Sequence, residues 1–202
     1  MKIAVTGKGG VGKTTIAATL ARLYAEEGHP VLAADVDPDD NRFYKINPRV
    51  SDIPDKYSKE YNGVKLLTLG TVETAGSGCV CPEHVMLRRI INSLVLHRGD
   101  VVILDMEAGL EHLGRGTTEG MDMFIVVIEP GARSIQTYKN VKRLAEELGV
   151  HQVHVVANKV RDEKDEAFIQ DRIPPEDLLG MVHYNPEIME ADREGSSPYD
   201  YS

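Results

Sequence analysis

Aromatic side chains are scarce in this sequence, at 5% of 202 residues, although 42% of the residues are hydrophobic. A core built from so few rings must be aliphatic, and Val- and Ile-rich buried parallel strands suit that composition better than an aromatic core. Positive charge is also in short supply, since 23 Lys and Arg against 32 Asp and Glu leave a net charge of −9. With no basic run to offset it and no aromatic pattern for stacking bases, the surface is not built for nucleic acid. No apolar stretch approaches the length of a membrane span, and the first strand starts at Lys2, leaving no signal peptide ahead of it. These absences predict a cytoplasmic protein with neither nucleic acid nor membrane as partner. Cysteine occurs twice, as Cys79 and Cys81. In such a chain two thiols point to metal or redox chemistry before a structural disulfide. No internal repeat or low-complexity segment appears, and the length suits a single domain over residues 1–202.

What is present concentrates near the N-terminus. Gly7-Lys8-Gly9-Gly10-Val11-Gly12-Lys13-Thr14-Thr15 follows the apolar Ile3-Ala4-Val5 and precedes a helical pattern starting near Ile16. Strand, glycine loop and helix form the context in which G-x-x-x-x-G-K-[ST] marks a phosphate-binding loop. The glycines let several N–H groups face one centre, and the helix N-terminus adds its partial positive charge. Lys13 would reach the β- and γ-phosphates, and the Thr14 hydroxyl would sit on Mg²⁺. The competing reading is a glycine-rich turn that binds nothing.

The rest of the chain alternates strand and helix patterns. Val31–Ala34, Val64–Leu69, Val101–Asp105, Phe124–Ile128, Val153–Ala157 and Leu178–Val182 read as strands. Helical spacing places Ile16, Leu20, Leu23 and Glu27 on one face of the first helix, which Gly28 ends. A second helix runs from Glu83 to His97. A third is N-capped by Ser134, with Ile135, Tyr138, Val141, Ala145 and Leu148 as its core face, and a fourth covers Asp165–Gln170. Asp39–Asn62 reads as an irregular polar segment. The pattern predicts an α/β fold: a three-layer P-loop NTPase domain with a mainly parallel β-sheet and helices on both faces.

Lys8 directly follows the first glycine of the loop, and this K-G-G-x-G-K-[ST] form resembles the deviant phosphate loop of the MinD, Soj/ParA and nitrogenase iron protein class of ATPases. The resemblance implies a nucleotide-dependent homodimer in which Lys8 reaches the partner's nucleotide; the alternative is a surface lysine adding charge beside the phosphates. Asp105, ending an apolar strand, fits the acid that holds a magnesium-bound water. The following Glu107-Ala108-Gly109 resembles the switch II of that class, with Glu107 and His112 unassigned. Asp35-Val36-Asp37-Pro38 resembles its switch I, which implies that Asp37 orients or activates the attacking water. An Asp-Pro turn is the alternative. Asn158 resembles the adenine-reading asparagine of the class, and its amide offers a donor and an acceptor for adenine N6 and N7. Arg161 stands where the guanine-reading N-K-x-D pattern has Asp, so ATP is favoured over GTP as the bound nucleotide, with ADP as product. Tyr184–Pro186 reads either as a wall for the base or as an ordinary turn.

Cys79-Val80-Cys81 is the second informative feature. Cysteines this close are poorly placed to bond each other, and two thiolates leave a tetrahedral or square-planar metal half-filled. A symmetric dimer would supply the other pair; two partly buried thiols are the alternative. Taken with Asp105-Met106-Glu107-Ala108-Gly109-Leu110-Glu111-His112-Leu113, Ile128-Glu129-Pro130 and Asn158-Lys159-Val160, the order of segments is similar to the nickel-insertion accessory ATPases of carbon monoxide dehydrogenase maturation. That resemblance implies an ATP-driven dimer whose paired C-x-C motifs bind Ni²⁺ or Zn²⁺, with carbon monoxide dehydrogenase as client. The chain departs from the family after Asn41, where Arg42–Ile46 leads straight to Asn47-Pro48-Arg49-Val50, and its tail after Tyr184 is short for the family's final helix. Two other functions fit the same fold: a partition or positioning ATPase, and an iron–sulfur carrier with the cysteines bridging a cluster.

Overall fold

A continuous apolar run makes a stable strand when both of its faces are covered. In the computed structural model, which describes residues 1–35, 58–68, 99–106 and 121–201, that is how the runs are used. The described residues form β1 (Lys2–Gly7), α1 (Lys13–Glu26), β2 (Val31–Asp35), β3 (Lys59–Tyr61), β4 (Val64–Thr68), β5 (Val101–Asp105), β6 (Met123–Ile128), α2 (Ala132–Glu147), β7 (Val153–Val160), α3 (Glu163–Gln170), β8 (Leu178–His183) and α4 (Glu187–Arg193). The strands make one sheet in the order β3-β4-β2-β5-β1-β6-β7-β8. Every pairing is parallel except β3 with β4. The helix expected over Glu83–His97, the turn carrying Cys79 and Cys81, Asp37, and the Glu107 to Gly120 part of the loop after β5 lie outside the described residues.

Strand alternation divides the core into two halves, one on each face of the sheet. Ile3, Val5, Val101, Ile103, Ile125 and Val127 pack with Ile16, Ala17 and Ala21 of α1. The intervening residues Ala4, Val102, Leu104, Phe124, Val126 and Ile128 pack with Ile135, Tyr138, Val141 and Ala145 of α2. Helices on both faces of a mostly parallel sheet make the three-layer α/β architecture expected from the sequence.

The helices differ from the sequence reading in how they sit. The packing line of α1 runs through Ala17 and Ala21, while Leu23 is 43% exposed. Ile16 is buried and Leu20 packs against the same core, as expected, whereas Leu23 and Glu27 are exposed. Gly28 does end the helix. It adopts φ 86°, and the amides of Gly28 and His29 donate to the Ala25 and Tyr24 carbonyls, the paired bonds of a Schellman cap. Ser134 is buried inside α2 and does not cap it, because the helix begins two residues earlier, after an extended Gly131. The expected polar segment ends in a strand: β3 turns through Asn62 and Gly63, at φ 48° and 78°, into the antiparallel β4. Two central residues at positive φ are what a tight two-residue hairpin needs, and Asn-Gly supplies them. Tyr184–Pro186 is irregular, as the sequence predicts, and a short helix, α4, follows it.

One polar cluster ties α2 to the start of β8. The Tyr138 hydroxyl and the Lys142 ammonium both donate to Oδ2 of the buried Asp177. Burial by itself would raise the Asp177 carboxyl, but the hydrogen bonds from Lys142 and Tyr138 outweigh it and hold the group below its ordinary value. The Tyr138 hydroxyl is pushed up to about 12, first by burial and then by its bond to Asp177.

Asp177→Ala is expected to lower stability by about 1–3 kcal/mol near neutral pH, since the buried Tyr138 hydroxyl loses its acceptor. A depressed folded-state value means that the carboxylate's contribution is complete above the ordinary carboxylate range and fades as the pH falls through the lowered one. In urea unfolding, the gap between wild type and variant should therefore shrink between about pH 5 and pH 2. A gap of constant size would remove the carboxylate as its source.

Candidate active site

The sheet reverses its direction of growth at β1. Its neighbours are β5 on one side and β6 on the other. The chain leaving β1 runs through α1 to β2, beyond β5, whereas the chain leaving β6 runs through α2 to β7 on the opposite side, so these two connections diverge. In open α/β sheets that divergence opens the crevice in which ligands bind. The loop carrying Gly7 to Gly12 leaves β1 at this point and runs into α1.

Close approach explains two of its glycines. A Cβ on Gly7 would lie 2.3 Å from the Val127 carbonyl oxygen of β6, and a Cβ on Gly12 would lie 2.4 Å from the Asn158 amide nitrogen of β7. Gly12 also has φ 92° and precedes α1 with no side-chain cap, and no acid occupies the first turn of that helix. A helix start built this way leaves its first N–H groups for an outside anion. Two further donors already converge on one oxygen: the Lys8 carbonyl lies 3.4 Å from the Val11 nitrogen and 3.5 Å from Lys13 Nζ. Both contacts are long and weak, and a negatively charged phosphate oxygen is a better acceptor for the same two groups. Lys8 itself is exposed.

Thr14 and Asp105, 91 positions apart in sequence, meet here. The Thr14 hydroxyl donates to Asp105 Oδ2 at 2.5 Å. A hydroxyl beside a carboxylate at the phosphate loop is the hard-oxygen donor set that suits Mg²⁺, which takes one or two protein oxygens and fills its remaining positions with phosphate and water. Asp35, which begins the Asp35-Val36-Asp37 element, shares a register position with Asp105 on the adjacent strand. Thr15 continues the first turn of α1. Gly9 and Gly10 lie at the exposed tip of the loop, with open space where a Cβ would stand.

Asn158 is 7% exposed and faces the loop. Its Nδ2 donates to the Val11 carbonyl at 2.8 Å, and its Oδ1 accepts the Lys159 amide at 2.9 Å. The sequence reading passed over the next residue. Lys159 Nζ donates to the Gly10 carbonyl at 2.5 Å and lies 3.9 Å from Glu129. The adjacent Asn158-Lys159 was visible in the sequence, but only the fold shows both side chains on the loop. Arg161 is turned away from this role, its guanidinium bonded to both oxygens of Asp165 at 2.8 and 3.2 Å. The hydrogen bond from Arg161 holds the Asp165 carboxyl below its ordinary value.

Comparison with known proteins identifies the family. Residues 2–199 match the CobQ/CobB/MinD/ParA nucleotide-binding domain. The chain is 42% identical to the carbon monoxide dehydrogenase accessory protein CooC of Rhodospirillum rubrum, over all of this chain and 90% of that protein. The alignment spans 238 positions against 202 residues here, so the relative carries residues that this chain lacks. An uncharacterised ATP-binding protein of Methanocaldococcus jannaschii is 40% identical over 95% of this chain and 88% of its own length. Among solved structures, the septum site-determining protein MinD of Pyrococcus horikoshii, complexed with Mg-ADP, superposes with a TM-score of 0.71 at 24% identity, covering 100% of this chain and 89% of that one. A ParA family ATPase from Chlorobium tepidum does so at 0.67 and 18% identity, over 98% and 90%. At those identities the two structures speak for the fold alone. The chain belongs to the CobQ/CobB/MinD/ParA nucleotide-binding family, as an ATPase of the CooC type with a deviant phosphate loop.

Proposed function

We propose that this ATPase is a cytoplasmic metallochaperone, whose ATP-dependent homodimer carries nickel or zinc and assists nickel insertion into carbon monoxide dehydrogenase. The observation that carries the reading is the 42% identity to CooC, a carbon monoxide dehydrogenase accessory protein, over the full chain. The net charge of −9 also counts against DNA or anionic lipid as a partner.

In this reading the loop amides, the start of α1 and Lys13 hold the phosphates, while Thr14 and Asp105 hold Mg²⁺, Asp105 through water. The ion supplies charge neutralisation for the phosphoryl oxygens. Asp37 orients the attacking water from the segment after β2, and Lys8 reaches the partner's nucleotide. Asn158 keeps one N–H and one oxygen lone pair beyond those the loop and Lys159 use, a donor–acceptor pair suited to adenine. Arg161 offers no acceptor for the guanine N1 and N2 hydrogens, which favours ATP. Cys79 and Cys81 from each of two protomers complete a four-thiolate site on the two-fold axis. Two thiolates alone would leave the ion half-coordinated, so the metal and the nucleotide favour the same dimer.

Metal titration in the presence of a non-hydrolysable ATP analogue should give about one nickel or zinc per dimer, the ratio expected for four thiolates. The Cys79→Ala, Cys81→Ala double variant should lose that site; full-affinity binding by the variant would sink the proposal. Lys8→Ala is expected to keep measurable nucleotide binding while losing ATP-driven dimerisation and turnover, read by sedimentation and phosphate release. An unchanged ATPase rate would remove the role given to Lys8 across the interface.

A further inference from the structure

β7 carries a left-handed residue where no turn requires one. Asn62 and Lys159 are the described non-glycine residues at positive φ, 48° and 58°. Asn62 belongs to the β3–β4 hairpin, but Lys159 lies inside a strand. Around it β7 advances from Ala157 to Val160 while β8 advances only from Met181 to His183. The extra residue is a bulge, and bulges re-aim side chains. Lysine has no intrinsic preference for the left-handed region, so its surroundings hold it there.

The bulge undoes the alternation of the strand. Consecutive residues of a regular strand point to opposite faces, yet Asn158 and Lys159 both reach the phosphate loop. Asn158 holds the Val11 carbonyl and Lys159 holds the neighbouring Gly10 carbonyl. Glu129, just after β6, lies 3.9 Å from the Lys159 ammonium. The described peptide bonds are all trans, so a carbonyl and the N–H that follows it point in opposite directions. Holding the Gly10 carbonyl therefore aims the Val11 N–H away from Lys159, and holding the Val11 carbonyl aims the Gly12 N–H away from Asn158.

We propose that the Asn158-Lys159 bulge is a two-pronged brace that sets the direction of the loop's amides, and that Lys159 is a positioning residue for nucleotide phosphate. Lys159 touches neither phosphate nor base in this role; it acts through the Gly10–Val11 peptide. A surface lysine that only raised the local potential would need neither the left-handed backbone nor a bond to a neutral carbonyl. The inference rests on the loop binding nucleotide phosphate and is independent of the metal reading.

The test compares affinities of the full chain for Mg-ADP and for Mg-tripolyphosphate, which has no base, the second measured by competition. Lys159→Asn removes the ammonium while tolerating the left-handed backbone, and Lys159→Met keeps the apolar stem as a second variant. Each should weaken both ligands by the same factor, about tenfold, the worth of one charge-assisted hydrogen bond. Lys159→Arg should recover most of the loss, and kcat at saturating ATP should fall far less than KM rises. Unchanged affinity in both variants would overturn the proposal. So would a loss confined to ADP, which would make Lys159 a contact to the nucleoside. Wild-type protein that bound neither ligand would instead remove the phosphate reading on which the inference rests.

Discussion

The first loop lies closer to its neighbours than a side chain would allow, and the site depends on that proximity. Gly7 sits against the Val127 carbonyl and Gly12 against the Asn158 amide. Each contact comes from a strand on the same side of β1, so the loop is pressed toward β6 and β7 while α1 leaves on the face it shares with Ile3 and Val5. A glycine loop by itself is conformationally loose and loses much entropy when it is ordered. Here two strand ends and two side chains order it in advance, which reduces what nucleotide binding must supply.

The buried strands make that rigidity possible. β1 lies between two parallel neighbours, and Ala4 and Val5, on its opposite faces, are fully buried. Residues that point alternately into two separate cores cannot slip by one position without exchanging those cores. The register of β1 against β5 and β6 is thereby held, and with it the level at which Gly7 and Asp105 end their strands and Gly7 faces Val127. Thr14 meets Asp105 because α1 starts at that same edge. The meeting of Thr14 and Asp105 thus follows from strand register as much as from the identity of the two residues.

Much of this could be read from the chain. The strand from Val101 to Asp105 has the bounds its apolar run indicates, and the loop motif lies between a strand and a helix as expected. Where the structure differs from the pattern, packing and backbone geometry decide over residue type. Leu23 is the larger side chain, yet Ala17 and Ala21 are buried and Leu23 is exposed. Ser134 has the chemistry of a cap, but the packing of α2 begins the helix before it. Asn62-Gly63 carried a hairpin signal that the polar residues around it obscured.

Residue chemistry and spacing by themselves determined the α/β class, the phosphate loop and the family resemblance. Each depends on local pattern: glycine where backbone must curl, apolar runs where both faces are buried, an acid where a strand ends. Tertiary structure alone decided which distant groups meet. It brought Thr14 to Asp105, and it placed Lys159 beside Asn158 on the loop through a bulge that shows only where β7 falls out of step with β8. That second decision is invisible in sequence because a left-handed lysine is no property of lysine. It is imposed by the neighbouring strand and by the two carbonyls that Asn158 and Lys159 hold.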